Sequence, residues 1–194
     1  MKSKEPIENS TGNIILYLYL VVKPDHCTMQ YVISILNIVM LSIPHSLTGA
    51  FIASKLPHPA LYIPLALAMH YLCDWIPHWD VGTGLSNGTR KRSTAILLEF
   101  VDLGITAVLV YWIFFETIGS AVAINDPRTV HIWIGALVGI APDLIEAPRN
   151  FLRWEPWFIK PFNKFHGNFH HSTPNMVVGL LPQVILVALI WLLS

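Results

Sequence analysis

Two histidines and two aspartates fall within the eleven residues HYLCDWIPHWD, positions 70–80, at the end of an apolar run. His70 and Asp74 are four apart, so on a helix their side chains leave one face, one turn above the other. Pro77 then stops the helix, and His78 and Asp80 follow in the turn. Imidazole nitrogen and carboxylate oxygen at this spacing are what a zinc-type or manganese-type ion accepts as ligands. The plainer alternative is a helix end with ordinary interfacial residues. Four candidate ligands beside an apolar segment, where polar groups are costly, favour metal chemistry.

More such residues follow the same pattern. Glu99 and Asp102 are three apart, as are Asp143 and Glu146; His166 and His170 are four apart, with His171 next in the chain. His45 stands in the first turn of PHSLTGAFIASKL, which opens with proline at a helix-start position.

The elements that must hold these residues are apolar helices. Of 194 residues, 54% are hydrophobic and only 12% charged, against roughly 25% charged in a soluble domain. That composition predicts an all-α, polytopic membrane bundle of about four to six helices. Net charge is zero and no basic stripe appears, so nucleic acid is not an expected partner. Cys27 and Cys73 match no Cys-x-x-Cys pattern, so neither a disulfide framework nor a thiolate zinc site is indicated.

Residues 1–13 are polar, and the apolar run 14–22 is short of the ~20 residues a span needs. A second apolar run covers 31–43. Met29 and Met40 precede the first candidate ligand, so an internal start is the expectation, with 1–39 an extension and 40–194 the membrane domain. Within that domain a helix over 60–76 is borderline for a span, 81–93 reads as a loop, and 94–119, 129–147 and 176–193 read as spans. The stretch APRNFLRWEPWFIKPFNKF, with its tryptophans and basic residues, suits the membrane interface.

Basic residues orient the chain. Arg90, Lys91 and Arg92 follow the 60–76 helix, and Arg149, Arg153, Lys160 and Lys164 follow the 129–147 helix; between them Arg128 is offset by Asp126. Two basic loops separated by two spans lie on one side, the cytoplasmic side by the positive-inside rule. His70, Asp74, Glu99, Asp102, Asp143, Glu146 and the histidines of 166–171 all fall at that end of their helices and can share one pocket, with His45 if its helix starts there too. Ionisable residues at such depth cost about 2.5–3.5 kcal/mol each on insertion scales, so they pair or bind something. One or two divalent cations, zinc or manganese first, would neutralise several carboxylates together. Two ions bridged by an aspartate would suit phosphoester cleavage. His78 and Asp80 at the mouth, with Asp102, are the expected substrate-facing or catalytic groups.

PHSLTGA, HYLCDWIPHWD, APDLIE and FHGNFHHS together resemble the bacterial inner-membrane family of metal-dependent hydrolases known as the YdjM-like, LexA-regulated group, over roughly residues 44–172. The resemblance implies a small multi-span protein in which His45, His70, Asp74, Asp143, His166 and His171 occupy motif positions. Gly167 stands where that family's His-Arg-Gly-x-Thr-His-Ser ending has arginine, and His170 stands at its threonine. Helical spacing thus pairs His166 with His170, whereas the motif pairs it with His171. The functional expectation is a membrane-embedded hydrolase acting on a small-molecule or lipid substrate. A non-enzymatic metal-binding or ion-transport protein, or a purely structural one, is the alternative.

Overall fold

The helices of this apolar chain turn their polar residues inward. A computed structural model describes residues 42–56, 58–85, 88–116 and 127–194. All of these belong to the second of the two units into which the chain divides, Asn37–Ser194. The expected extension, with the apolar run 14–22 and all but the end of 31–43, lies outside the described residues.

Among the described residues there are six α-helices and no strand. They are α1 (Ser42–Lys55), α2 (Pro59–Trp75), α3 (Arg92–Tyr111), α4 (Pro127–Ala147), α5 (Lys160–His166) and α6 (Met176–Leu193). The fold is all-α, as composition and periodicity predict. Three segments, Arg92–Phe115, Pro127–Leu152 and Met176–Leu193, are long and apolar enough to cross a membrane. Along α2 the buried residues are Tyr62, Ala66, His70 and Asp74, spaced by four, while Leu61, Leu65, Leu72 and Trp75 are exposed. Along α3, Glu99, Asp102 and Thr106 are buried while Leu97, Phe100 and Val108 are exposed. This reverses the pattern of a helix lying on a soluble core, and it suits a hydrocarbon surround.

The central element is the short helix α1, which touches α2, α3, α4 and α6 and is buried on all sides from Ser42 to Ala50. Its small residues permit this. A methyl group added at Gly49 would fall on the Gly135 carbonyl oxygen, and one at Gly139 would fall on the His45 carbonyl oxygen. The GALVG stretch of α4 therefore works as a small-xxx-small contact, in which absent side chains let two backbones touch. Beyond that contact Leu47 and Ala50 meet Ile113, Phe114, Ile132, Ala136 and Ile190 in an apolar cluster.

Helix ends depart from the sequence expectation in two places. The α3 helix continues as a wider, π-helical turn over Trp112–Glu116. The α4 helix does the same over Pro148–Leu152, where a loop was expected, and stops at Arg153 in a left-handed conformation (φ 55°). Pro148 removes an N–H from the ladder without ending the helix. After it Trp154, Trp157 and Phe158 are exposed, as an interfacial belt requires.

Asp102, expected among the catalytic groups, has a structural occupation. Its Oδ2 accepts the Ser42 backbone N–H at 2.6 Å, and Glu99 Oε1 accepts the Ser42 hydroxyl at 3.3 Å. A helix start buried in apolar surroundings leaves N–H groups and a positive dipole end that an anion satisfies. Replacing Asp102 by Leu should therefore lower stability by about 1–3 kcal/mol, and replacing it by Asn should cost less. Denaturation in detergent measures this; variants as stable as wild type would return Asp102 to a purely chemical role.

Candidate metal centre

Asp74 is fully buried near the end of α2, and its two oxygens face different histidines. Oδ2 lies 3.1 Å from His70 Nε2 and 2.8 Å from His166 Nε2. Oδ1 lies 3.2 Å from His45 Nε2 and 3.8 Å from His78 Nε2. The ion pairs of Asp74 and Asp143 among the described residues are all with histidines.

The donors form two groups that could each hold a metal ion and that share Asp74. One is His70, Asp74, Asp143 and His166; the other is Asp74, His78 and His170. In the first, His70 Nε2 is 3.3 Å from His166 Nε2 and 3.8 Å from Asp143 Oδ1, and His166 Nε2 is 3.5 Å from Asp143 Oδ1. In the second, His78 Nε2 and His170 Nε2 are 3.1 Å apart. Ligand atoms each ~2.1 Å from one ion lie at most ~4.2 Å from each other, so these separations suit shared coordination. A proton on His166 Nε2 or His170 Nε2 would make either pair an N–H···N hydrogen bond, whereas a cation would take all the donors of a group at once. Asp143 Oδ2 is buried without a hydrogen-bond partner, a further sign of a missing positive charge.

The ring orientations fit ligation. His70 Nδ1 lies 2.7 Å from the Gly139 carbonyl oxygen and His78 Nδ1 lies 3.0 Å from the Ile76 carbonyl oxygen. Each Nδ1–H donates there and leaves the Nε2 lone pair facing the cluster. His166 Nδ1 is 2.8 Å from Glu146 Oε2, and Glu146 is itself paired with Arg149. Glu146 is thus a carboxylate standing behind the His166 ring, in ion-pair contact but outside hydrogen-bonding geometry. Burial, and then the neighbouring His78 charge, holds the His170 pKa below the usual imidazole range, which favours a free lone pair near neutral pH.

Two loops carry the second group. The Ile76 backbone is extended (ψ 127°), as the residue before Pro77 must be, and this ends α2 at Trp75. The chain after it pairs with the segment beyond α5: His171 N–H donates to the Asp74 carbonyl at 3.0 Å, His78 N–H to the His171 carbonyl at 3.0 Å, and Thr173 N–H to the His78 carbonyl at 2.8 Å. Arg90 steadies this loop, donating to the Val81 carbonyl at 2.6 Å and lying 4.9 Å over the Trp79 ring.

The structure thus brings His45, His70, Asp74, Asp143, His166, His78 and His170 together. His45 touches Asp74 but belongs to neither ligand group. Asp80 is buried, with Oδ2 3.8 Å from His170 Nε2. His171, expected as a ligand, is not in the cluster: its ring is exposed and its Nδ1 lies 2.7 Å from the Phe169 carbonyl. The reason is local. His170 N–H reaches back to the His166 carbonyl at 3.1 Å, continuing the helical spacing, so His170 returns to the site while His171 uses its backbone to pair and turns outward.

Sequence reading gave no specific role to Gly139, whose carbonyl orients His70, or to Glu146 behind His166. The Gly135-x-x-x-Gly139 spacing and the three-residue offset of Glu146 from Asp143 were the available signals.

Metal analysis of detergent-purified variants tests the grouping. His70→Ala and His166→Ala should lose one group's metal, His78→Ala and His170→Ala the other's, and Asp74→Ala both, while His171→Ala keeps the wild-type content. Loss of metal in His171→Ala would bring that residue back into the centre. Comparison of the chain with protein-family models, with curated proteins and with solved structures finds no match, so its chemistry stands on the geometry of this site.

Proposed function

We propose that this protein is a membrane-embedded, metal-dependent hydrolase of phosphoesters, with its site at the cytoplasmic face of a bacterial inner membrane. The observation that carries the reading is Asp74: one buried carboxylate stands between two donor groups, with an oxygen turned to each. A histidine and aspartate set without thiolate suits zinc or manganese. His70, Asp74, Asp143 and His166 on one side and Asp74, His78 and His170 on the other would hold the divalent cations, which would supply Lewis-acid polarisation of a phosphoryl oxygen and activation of water.

The chain's own residues supply the rest. His70 is oriented by the Gly139 carbonyl, so its ring need not reorganise when ligand binds, and Glu146 stands beside His166. A small opening of about 40 Å³ beside the cluster is lined in part by Asp80, Glu99, Asp143, Asn150 and His170. Asp80, beside His170 in that opening, takes the proton of the attacking water and returns it to the leaving oxygen. The basic residues Arg90, Arg149 and Arg153 near this end support a cytoplasmic orientation. The resemblance to the YdjM-like group points to the same class of chemistry.

Hydrolysis of phosphomonoesters and phosphodiesters by protein loaded with zinc or manganese tests this. Activity should vanish with chelator and return with metal. Asp80→Asn should lower kcat about 10²–10⁴-fold while metal content is kept, and Glu146→Gln should weaken metal affinity about 10–100-fold. A protein that retains its metal through Asp74 but cleaves no phosphoester would overturn the reading in favour of a metal-binding or ion-transport role.

A further inference from the structure

The span α6 gives no donor to either metal group, yet it carries one carboxamide, Gln183, in a run whose other side chains from Met176 to Leu193 hold no carboxamide, hydroxyl or charge. Gln183 is buried, 5% exposed, and its Nε2 donates to the Trp79 carbonyl at 2.8 Å and to the Gly179 carbonyl at 3.1 Å. A carboxamide among hydrocarbon side chains is costly unless it makes such bonds. The bond to Gly179 stays within the helix, whereas the bond to Trp79 leaves it for the loop between His78 and Asp80.

That loop is buried from His78 to Val81, so its backbone polar groups need partners. The His78 N–H and carbonyl pair with the 171–173 segment, the Asp80 carbonyl accepts the Thr83 N–H at 3.2 Å, and the Val81 carbonyl accepts from Arg90. For the Trp79 carbonyl the partner is Gln183. Trp79 also packs against α6 at Gly179, where an added methyl would strike its backbone nitrogen. Residues two apart in an extended chain leave one face, and the residue between them leaves the other. His78 and Asp80 accordingly both reach His170 Nε2, at 3.1 and 3.8 Å, while the Trp79 ring is turned under Arg90. Any turn of the Trp79 carbonyl away from α6 therefore moves the stretch of chain on which both His78 and Asp80 are carried.

We propose that Gln183 is a positioning residue for the second metal group: by holding the Trp79 carbonyl it sets where His78 and Asp80 stand relative to His170 and Asp74. The inference rests on the reading of Asp74, His78 and His170 as a metal group, and not on turnover. Because Gln183 acts through the backbone of one loop, its loss affects the second group. The first group, whose donors sit on α2, α4 and α5, keeps its geometry.

The test titrates full-length protein in detergent with Co²⁺ and follows both bound metal and the absorption spectrum of the ion, so no substrate is needed. Gln183→Met removes the carboxamide at similar volume; it should weaken one Co²⁺ about tenfold and change its spectrum, while the other ion keeps its wild-type affinity. Gln183→Asn, which keeps the carboxamide but draws it back by one methylene, is the milder variant and should shift the same ion by less. Ile190→Ala opens a cavity in the apolar cluster at the later end of α6 and is the control for lost stability alone: it should lower Tm and leave both ions bound as in wild type. In a His78→Ala background, where the second ion is already lost, Gln183→Met should change metal binding no further. Equal weakening of both ions, or of neither, in the Gln183 variants would overturn the proposal while leaving the metal centre in place. A wild type that binds a single Co²⁺, or none, would remove the second group and the proposal with it.

Discussion

A carboxylate with no exposure to water, enclosed by helices whose outer faces are hydrocarbon-like, sets the terms for the rest of this molecule. Asp74 cannot remain charged there without compensation, because the interior of a bundle screens charge poorly and desolvation of an ion costs several kcal/mol. Its partners are histidines from α1, α2, the loop after α2 and the end of α5. Imidazoles can be neutral, and neutral imidazoles do not balance Asp74 together with Asp143. Either protons are taken up, by a carboxyl or by the rings, where they would set like charges 3.1–3.3 Å apart, or cations supply the charge. The second solution satisfies the carboxylates and the nitrogens together, and it is the physical reason the cluster reads as a metal centre.

Bringing four separate segments to one carboxylate requires helix axes to come closer than side chains normally allow. The glycine contact between α1 and α4 does this. Because Gly49, Gly135 and Gly139 present bare backbone, the Gly139 carbonyl is free to meet His70 Nδ1 and Asp143 follows one turn later beside the same ring. A larger residue at any of the three would separate the helices, and the donor distances would lengthen with them. Gly179 plays the corresponding part for α6, where an added methyl would strike the Trp79 backbone and push the His78 loop away. The apolar cluster farther along α1 supports these contacts without contributing a donor.

How much of this was legible follows from the range over which each signal acts. The His70–Asp74 pair is a local signal, since helical pitch alone fixes its geometry, and the three apolar segments long enough to span are set by composition and length. Convergence of His45, Asp143 and the 166–170 loop on one end came from loop charge and helix direction, which are weaker but act over the whole chain. The bond from Asp102 to the Ser42 N–H was not legible, because a buried acid looks the same in sequence whether it faces a metal or the backbone N–H of a neighbouring helix. His171 was misassigned because family-like spacing carries no information on which side of an extended segment a ring will leave. Gly139 was invisible as a site residue because it acts through its backbone carbonyl.

Two openings beside the centre differ in kind. The first opening is small, about 40 Å³, and its walls include Asp80, Glu99, Asp143, Glu146 and His170 beside Ala147 and Phe151. The second, a groove between α2 and α6, is larger and mainly apolar, and its walls include His45 and His78, the two histidines that face Asp74 Oδ1. The first opening thus sets ionisable groups beside the cluster, and the second sets a mainly apolar wall beside it. A polar cluster at the edge of an otherwise apolar bundle is in this way flanked by two surroundings of different polarity, and a charge placed on it is screened unequally from the two sides.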